Sequence, residues 1–241
     1  MPGFSTRAVQ EEWMDDLNCH GPVVEQTLRE LDIINRWLGG NGVTVSGLSL
    51  LLKGKLLPRI SVADLGCGSG AMLKIMARYF AGRRQPATLL GIDANPHIVA
   101  YARQHVVHSA ITFECVDIFS ENFKAQPFDI ITATLFTHHF SKAQLVDMLR
   151  QWHRQARVGI VINDIHRHPL AFFSIRWLTR LFSKSPMVQF DAPLSVLRAF
   201  RRQEWEEILH EAGIVHFHLH WCWAFRWQLV IPASSVNQKN I

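Results

Sequence analysis

Residues 60–70, Ile-Ser-Val-Ala-Asp-Leu-Gly-Cys-Gly-Ser-Gly, constrain this chain more than any other stretch. A short apolar strand runs into an acid, Asp64, and then through Leu65 into a loop carrying Gly66, Cys67, Gly68 and Gly70. An apolar helix over 71–80 follows at once. Glycine lets the backbone turn sharply and approach a ligand where a side chain would clash. A strand, a glycine loop and a helix N-terminus together are how an open α/β sheet holds a nucleotide. Here the spacing is Gly-x-Gly-x-Gly rather than the Gly-x-Gly-x-x-Gly of dinucleotide sites, and Asp64 stands where it can meet a cation. A ligand with a nucleoside and an amino group fits both features better than a pyrophosphate does.

The pattern around this stretch alternates. Apolar strands are predicted near 60–65, 87–92, 111–116, 128–133 and 157–162, and helices near 70–81, 96–107 and 141–154. That rhythm is the mark of a parallel sheet covered by helices on both faces. Val158 to Ile162 is apolar without a break, as a strand buried on both sides should be. Upstream, 23–38 reads as an amphipathic helix with Val24, Leu28, Leu31, Ile34 and Leu38 in phase, ended by Gly39 to Gly42. A second helix is predicted over 43–57 with Leu48, Leu51, Leu52, Leu56 and Leu57 apolar, stopped by Pro58. Downstream, 204–212 is a helix closed by Gly213, and the runs 215–221 and 225–231 lie too close for a helical crossover, so they read as an antiparallel pair. Residues 1–10 are expected to fray and 232–241 to form a polar tail.

Two further strands end in acids. Leu89 to Ile92 leads to Asp93 and Ala94, 23 residues past Gly70, near the offset at which a carboxylate meets ribose hydroxyls. Ile111 to Val116 leads to Asp117 and Ile118, and a fourth segment runs Phe-Asp-Ile-Ile-Thr-Ala-Thr-Leu-Phe-Thr-His-His-Phe over 128–140. With these motifs in this order, residues 58–231 resemble the class I S-adenosyl-L-methionine (SAM)-dependent methyltransferases. In finer grain the chain is similar to the small-molecule enzymes related to ubiquinone/menaquinone C-methyltransferases. Ile34 to Gly40, Phe136 to Phe140 and Asn163 to Arg167 look like the subgroup found beside type III polyketide synthases. The resemblance implies a Rossmann-like α/β fold with a seven-stranded, mostly parallel sheet whose last strand is antiparallel. It implies SAM as cofactor, with Asp93 on the ribose, Asp117 at the adenine, Thr134 and Leu135 beside the methionine part, and Arg36 from the N-terminal helix on its carboxylate.

One methyltransferase domain is expected: an N-terminal helical cap over 1–57, a SAM-binding core over 58–163, a lid insertion over 164–203, a closing helix and strand pair over 204–231, and the tail. In the insertion, 171–182 reads as a helix rich in Phe, Leu and Trp, with Arg176, Arg180 and Lys184 every four residues. It is the expected lid over a small hydrophobic or aromatic acceptor, and its basic side also fits peripheral membrane contact. His138, His139, Asp164, His166 and His168 cluster just past the fourth and fifth strands, where a methyl acceptor would sit. His139 or His166 is then the expected general base for a hydroxyl acceptor, with Asp164 orienting an imidazole and His138 a further candidate. That favours O-methylation of a lipophilic phenol. C-methylation of a quinol or prenylated ring, and an inactive SAM-binding scaffold, are the alternatives.

The remaining features exclude more than they assign. A net charge of +5 is spread over scattered arginines rather than a basic block, and no nucleic-acid partner is expected. Cys19, Cys67, Cys115 and Cys222 form no Cys-x-x-Cys pair, and His216, His218 and His220 share a strand face without nearby acids. No disulfide frame or metal is therefore expected. Without a signal segment or a long apolar run, the protein is expected to be cytoplasmic, as a monomer or homodimer.

Overall fold

The computed structural model describes residues 3–55 and 57–233. It opens on an extended segment with one 3-10 turn, Trp13–Asp15. Then come α1 (Pro22–Trp37), α2 (Gly40–Leu51), β1 (Ile60–Leu65), α3 (Ala71–Gly82), β2 (Ala87–Asp93), α4 (Pro96–His105), β3 (Ile111–Cys115), α5 (Glu121–Lys124), β4 (Phe128–Thr134) and α6 (Lys142–Gln155). The chain closes with β5 (Ala156–Ile165), α7 (Pro169–Phe182), α8 (Pro186–Arg198), α9 (Arg202–Glu211), β6 (His218–Cys222) and β7 (Arg226–Pro232). The expected tail beyond Ala233 and the predicted helix position Leu56 lie outside the described residues.

The seven strands form one sheet in the order β3-β2-β1-β4-β5-β7-β6. β1 to β5 pair in parallel, and β7 is antiparallel to both β5 and β6. The order reverses between β1 and β4, so the carboxyl ends of those strands flank the crevice where such sheets bind ligands.

Period-2 alternation sends neighbouring residues to opposite faces. Ala63, Ile131, Ile160, Leu229 and Ile231 pack with α6 and α9 around Trp152 and Trp205. Val62, Ile130, Val161 and Val230 pack with α2, α3 and α4 around Met76 and Phe80. Among the described residues no helix is long and apolar enough to cross a membrane.

Four expectations change. The second helix starts at Gly40, inside the glycine run that was predicted to be a break, and ends at Leu51 rather than 57. Val45 to Leu52 is apolar enough to fasten it to the sheet, and Gly47 comes close enough that a methyl group there would fall 2.6 Å from Val161 Cγ1. α8 was not foreseen, because Pro193 sits inside it. The last pair begins at His218 rather than 215. Residues 3–10 do not fray: the Ala8 N–H donates to Leu197 O, and the Arg7 guanidinium donates to the carbonyls of Arg198, His138 and Phe140 while lying over the Phe200 ring.

Candidate active site

A cavity of about 860 Å³ opens at the carboxyl ends of β1, β2 and β4. That size lies within the range of clefts that bury a ligand of drug size. Its floor comes from the glycine loop. Gly66 has φ of +64°, and a methyl group there would fall 2.1 Å from the Phe136 ring, so neither the turn nor the packing admits a side chain. Gly66, Cys67 and Gly68 line the cavity. Leu65 instead points into the core, and Gly70 heads α3 against Phe113 and Val106.

Asp64 lines the cavity yet is only 2% exposed. It accepts a hydrogen bond from the Thr132 hydroxyl at 2.7 Å and makes no ion pair among the described residues. Burial lifts its carboxyl to about 7, against the pull of that bond. Asp93 accepts from the N–H of Gly68 and of Asn95, and burial raises it too. Ala94, Asp117 and Ile118 continue the same wall. Asp117 accepts from the Phe119 N–H and stays exposed, so its other oxygen is open to a ligand. Thr134 and Leu135 leave β4 into the cavity, Leu135 with φ of +55° and its N–H on Asn163 O. A non-glycine residue held in the left-handed region is a local cost that tends to collect at binding sites.

The opposite side holds the histidines. His138 is buried, and its Nδ1 lies 2.7 Å from Asp164 Oδ1. Asp164 also accepts from the Thr137 hydroxyl and the N–H groups of His138 and Ile165. Burial alone would raise the Asp164 carboxyl, but the charge and hydrogen bond of His138, with those other donors, hold it near 2. His138 Nε2 faces Glu12, whose Oε1 is 3.7 Å away. His139 Nδ1 bonds Asp15 Oδ1 at 2.5 Å, and Arg198 pairs with the other Asp15 oxygen. Burial opposes ionisation of Asp15, yet these two partners keep it well below the usual carboxylate range.

Several expectations about placement therefore divide. Asp164 orients His138, not His166. His166 lies outside the cavity, packed on Trp227 and His168, with a buried Nδ1 that has no partner, and burial pulls it down to about 4. Arg36 is exposed on α1 and away from the cavity; its helix neighbours Asp32 and Asn35 line the site instead.

Sequence reasoning missed Glu12, which folds in from the extended N-terminal segment. Ser195 Oγ donates to its Oε2 at 2.8 Å, Oε1 has no hydrogen-bond partner, and burial lifts it to about 7. Glu12, His138 and His139 bring ligand-type atoms within 4.8 Å of one another. Arg198 Nη1 lies 3.6 Å from Glu12 Oε1, so a guanidinium already brings positive charge to that face. α7 and α8 complete the wall with Ala171, Ser174, Ile175, Leu178, Ala192 and Val196.

Residues 62–159 match the family described as a methyltransferase domain. No curated protein matches the sequence significantly. Among solved structures, human N-acetylserotonin methyltransferase in complex with SAM is similar with a TM-score of 0.63 and 18% identity, covering 89% of this chain and 57% of that one. This chain thus spans little more than half the length of that protein. Magnesium protoporphyrin IX methyltransferase from Synechocystis PCC 6803 with bound SAH is similar with a TM-score of 0.55 and 18% identity, covering 83% and 84%. A plantazolicin methyltransferase in complex with SAH is similar with a TM-score of 0.60 and 17% identity, covering 88% and 100%. The chain has the fold of the class I SAM-dependent methyltransferases, and its residues 62–159 match their methyltransferase domain.

Proposed function

We propose that this protein transfers a methyl group from SAM to a hydroxyl of a small lipophilic acceptor, with His138 as general base. The observation that carries the reading is the buried Asp164–His138 pair facing the same cavity as the glycine loop. The donor fits this chain's own residues. Asp64 is a buried carboxyl with no cationic partner among the described residues, which an amino group would supply, and Asp93 and Asp117 line the same cavity and are assigned to the ribose and the adenine. When bound, SAM supplies a sulfonium methyl whose leaving group is a neutral thioether.

The residues then have three tasks. Asp164, held ionised, accepts the Nδ1–H of His138, which lines the cavity, and leaves Nε2 on the side of Glu12 as the proton acceptor. Nε2 would take the proton of the acceptor hydroxyl as that oxygen displaced the thioether from the methyl group, and the resulting imidazolium would lie between Asp164 and Glu12. The apolar wall of Ile175, Leu178 and Val196 keeps water from competing.

The acceptor's route is consistent with its lipophilicity. Leu178 lines the cavity, and on the same helix Trp177, Leu181 and Phe182 are 67%, 61% and 77% exposed beside Arg176 and Arg180. A helix with that division of apolar and basic groups can rest on an anionic bilayer.

The test is single turnover with saturating SAM against a panel of hydroxylated aromatics. His138→Gln should lower the rate about 10²- to 10⁴-fold, while SAH affinity stays within about threefold and His166→Gln stays near normal. Normal turnover by the His138 variant refutes the base assignment. NMR of the product distinguishes O- from C-methylation.

A further inference from the structure

Three arginines are nearly fully buried, and two are paired with carboxylates. Arg167 donates to Glu204 and to the carbonyls of Phe4 and Ala199. Arg198 pairs with Asp15 and donates to His139 O. Arg226, at the start of β7, is different. It is 4% exposed and lines the cavity, yet it makes no ion pair among the described residues. Its one side-chain hydrogen bond runs from Nη1 to Asn163 Oδ1 at 3.5 Å, the outer limit for such a bond, and its Nε is buried without an acceptor. The nearest acid acting on it is Asp164, whose oxygens are already taken by Thr137, His138 and Ile165. Burial drags the guanidinium down to about 10, the sign of a desolvated charge that lacks its counter-ion. Buried charges are retained when something pairs with them.

A second orphan lies beside it. Asn35 Oδ1 is buried without a partner, while its amide nitrogen donates to Asn41. Gly40 leaves the space the two share: a methyl group there would fall 2.0 Å from Asn35 Oδ1 and 2.6 Å from Arg226 Cζ. One cationic donor and one free carbonyl acceptor thus converge on the cavity wall.

We infer that Arg226 and Asn35 form an anion subsite for the methyl acceptor, which carries a carboxylate next to a hydrogen-bond donor such as a hydroxyl. The inference rests on the donor's amino group lying at Asp64. β4 and β5 separate β1 from β7, which sets the backbones of Asp64 and Arg226 about 14 Å apart across the sheet at the usual strand spacing. The two make no ion pair, Asp64 turning to Thr132 of β4 and Arg226 to Asn163 of β5; the anion at Arg226 is assigned to the acceptor, and the SAH affinity of Arg226→Gln separates it from the donor's own carboxylate.

The experiment uses the full chain saturated with SAH and two probes of one shape, 1-hydroxy-2-naphthoate and 1-naphthol, with affinities read by calorimetry. The acid should bind at least tenfold more tightly than the neutral phenol. Arg226→Gln should erase that preference while SAH affinity stays within about threefold. Gly40→Ala, which crowds the subsite from α2, should reduce the preference as well. Equal binding of the two probes to a wild-type chain that binds SAH overturns the inference and needs no variant. A tenfold loss of SAH affinity in Arg226→Gln, with the acid preference intact, overturns it in favour of a donor contact. Failure of the wild type to bind SAH removes the methyltransferase reading, and this inference with it.

Discussion

Asp64 allows a quantitative test of the donor site, because the same burial that makes it useful makes it costly. Its carboxyl is lifted from 3.8 to about 7 in the folded protein. A raised carboxyl pKa means that the folded state holds a proton which the unfolded chain releases. Stability therefore falls as pH rises from about 4 to about 7 and levels off above that. At about 1.4 kcal/mol per unit, the full shift corresponds to roughly 4 kcal/mol, and local relaxation brings the measurable effect to about 2–4 kcal/mol. Asp64→Asn keeps an oxygen for the Thr132 hydroxyl and removes the titration. Without ligand it should match the wild type near pH 4 and exceed it by that amount at pH 8, a rise in Tm of roughly 5–15 °C for a chain of this size. With ligand the order reverses. SAH should bind the wild type more tightly as pH rises through 7, because the ionised carboxylate is the form that meets the ammonium, and Asp64→Asn should bind weakly at every pH. Thermal melting from pH 4 to 8 with and without SAH, alongside calorimetry, reads both effects. A variant with the wild-type melting profile, or wild-type SAH affinity that is flat across pH 6–8, would refute the reasoning.

Other features make separate predictions. His166 is held neutral by burial, with a folded pKa of about 4 against 6.5, so its contribution to stability is present above 6.5 and lost as pH falls toward 4; urea titrations of His166→Gln should lack that decline while turnover is retained. Gly47→Ala improves intrinsic helix propensity by about 1 kcal/mol, but the new methyl meets a stiff β-branched Val161 at 2.6 Å. Overpacking of that kind costs about 1–3 kcal/mol, so chemical denaturation should show a net loss, and a gain would mean that α2 slides freely over the sheet. Flotation with vesicles containing anionic lipid should carry the wild type but not Trp177→Ser/Phe182→Ser, and vesicles of neutral lipid should carry neither; equal flotation of both proteins would remove the membrane route.

What was legible in the sequence was what rests on local rules. The glycine loop, the acids ending β1 and β2, and the strand–helix alternation each follow from neighbours within a few positions, and β1 to β5 lie where periodicity puts them. The N-terminus of α8 carried its own signal, with Ser185 accepting from the Val188 N–H and Pro186 in the first turn, but Pro193 hid the continuation. Pro193 has no N–H to donate to the Gln189 carbonyl one turn back, so a helix across it has to be argued from packing.

The site's missed residues share one property: each acts across a long sequence separation. Glu12 reaches His138 from a segment with no periodicity, held down by Arg7 on carbonyls far along the chain. Nothing within ten residues of Glu12 announces that contact. Arg226 did leave a trace. It opens a run, Trp227 to Ile231, that continues the centre of the sheet, and a guanidinium there is expensive unless something pays for it with opposite charge. Arg36 lies away from the cavity for a reason the helix makes plain. At 3.6 residues per turn, Asp32 and Asn35 share the inward face of α1 and the next position turns outward. The arginines that line the cavity come instead from α8 and β7, Arg198 and Arg226, and at Arg226 the adjacent Asn163 of β5 and the missing side chain of Gly40 in α2 make room for the guanidinium. A binding site assembled this way is invisible to motif spacing but visible to charge accounting, since a buried cation with no internal partner implies a ligand that carries one.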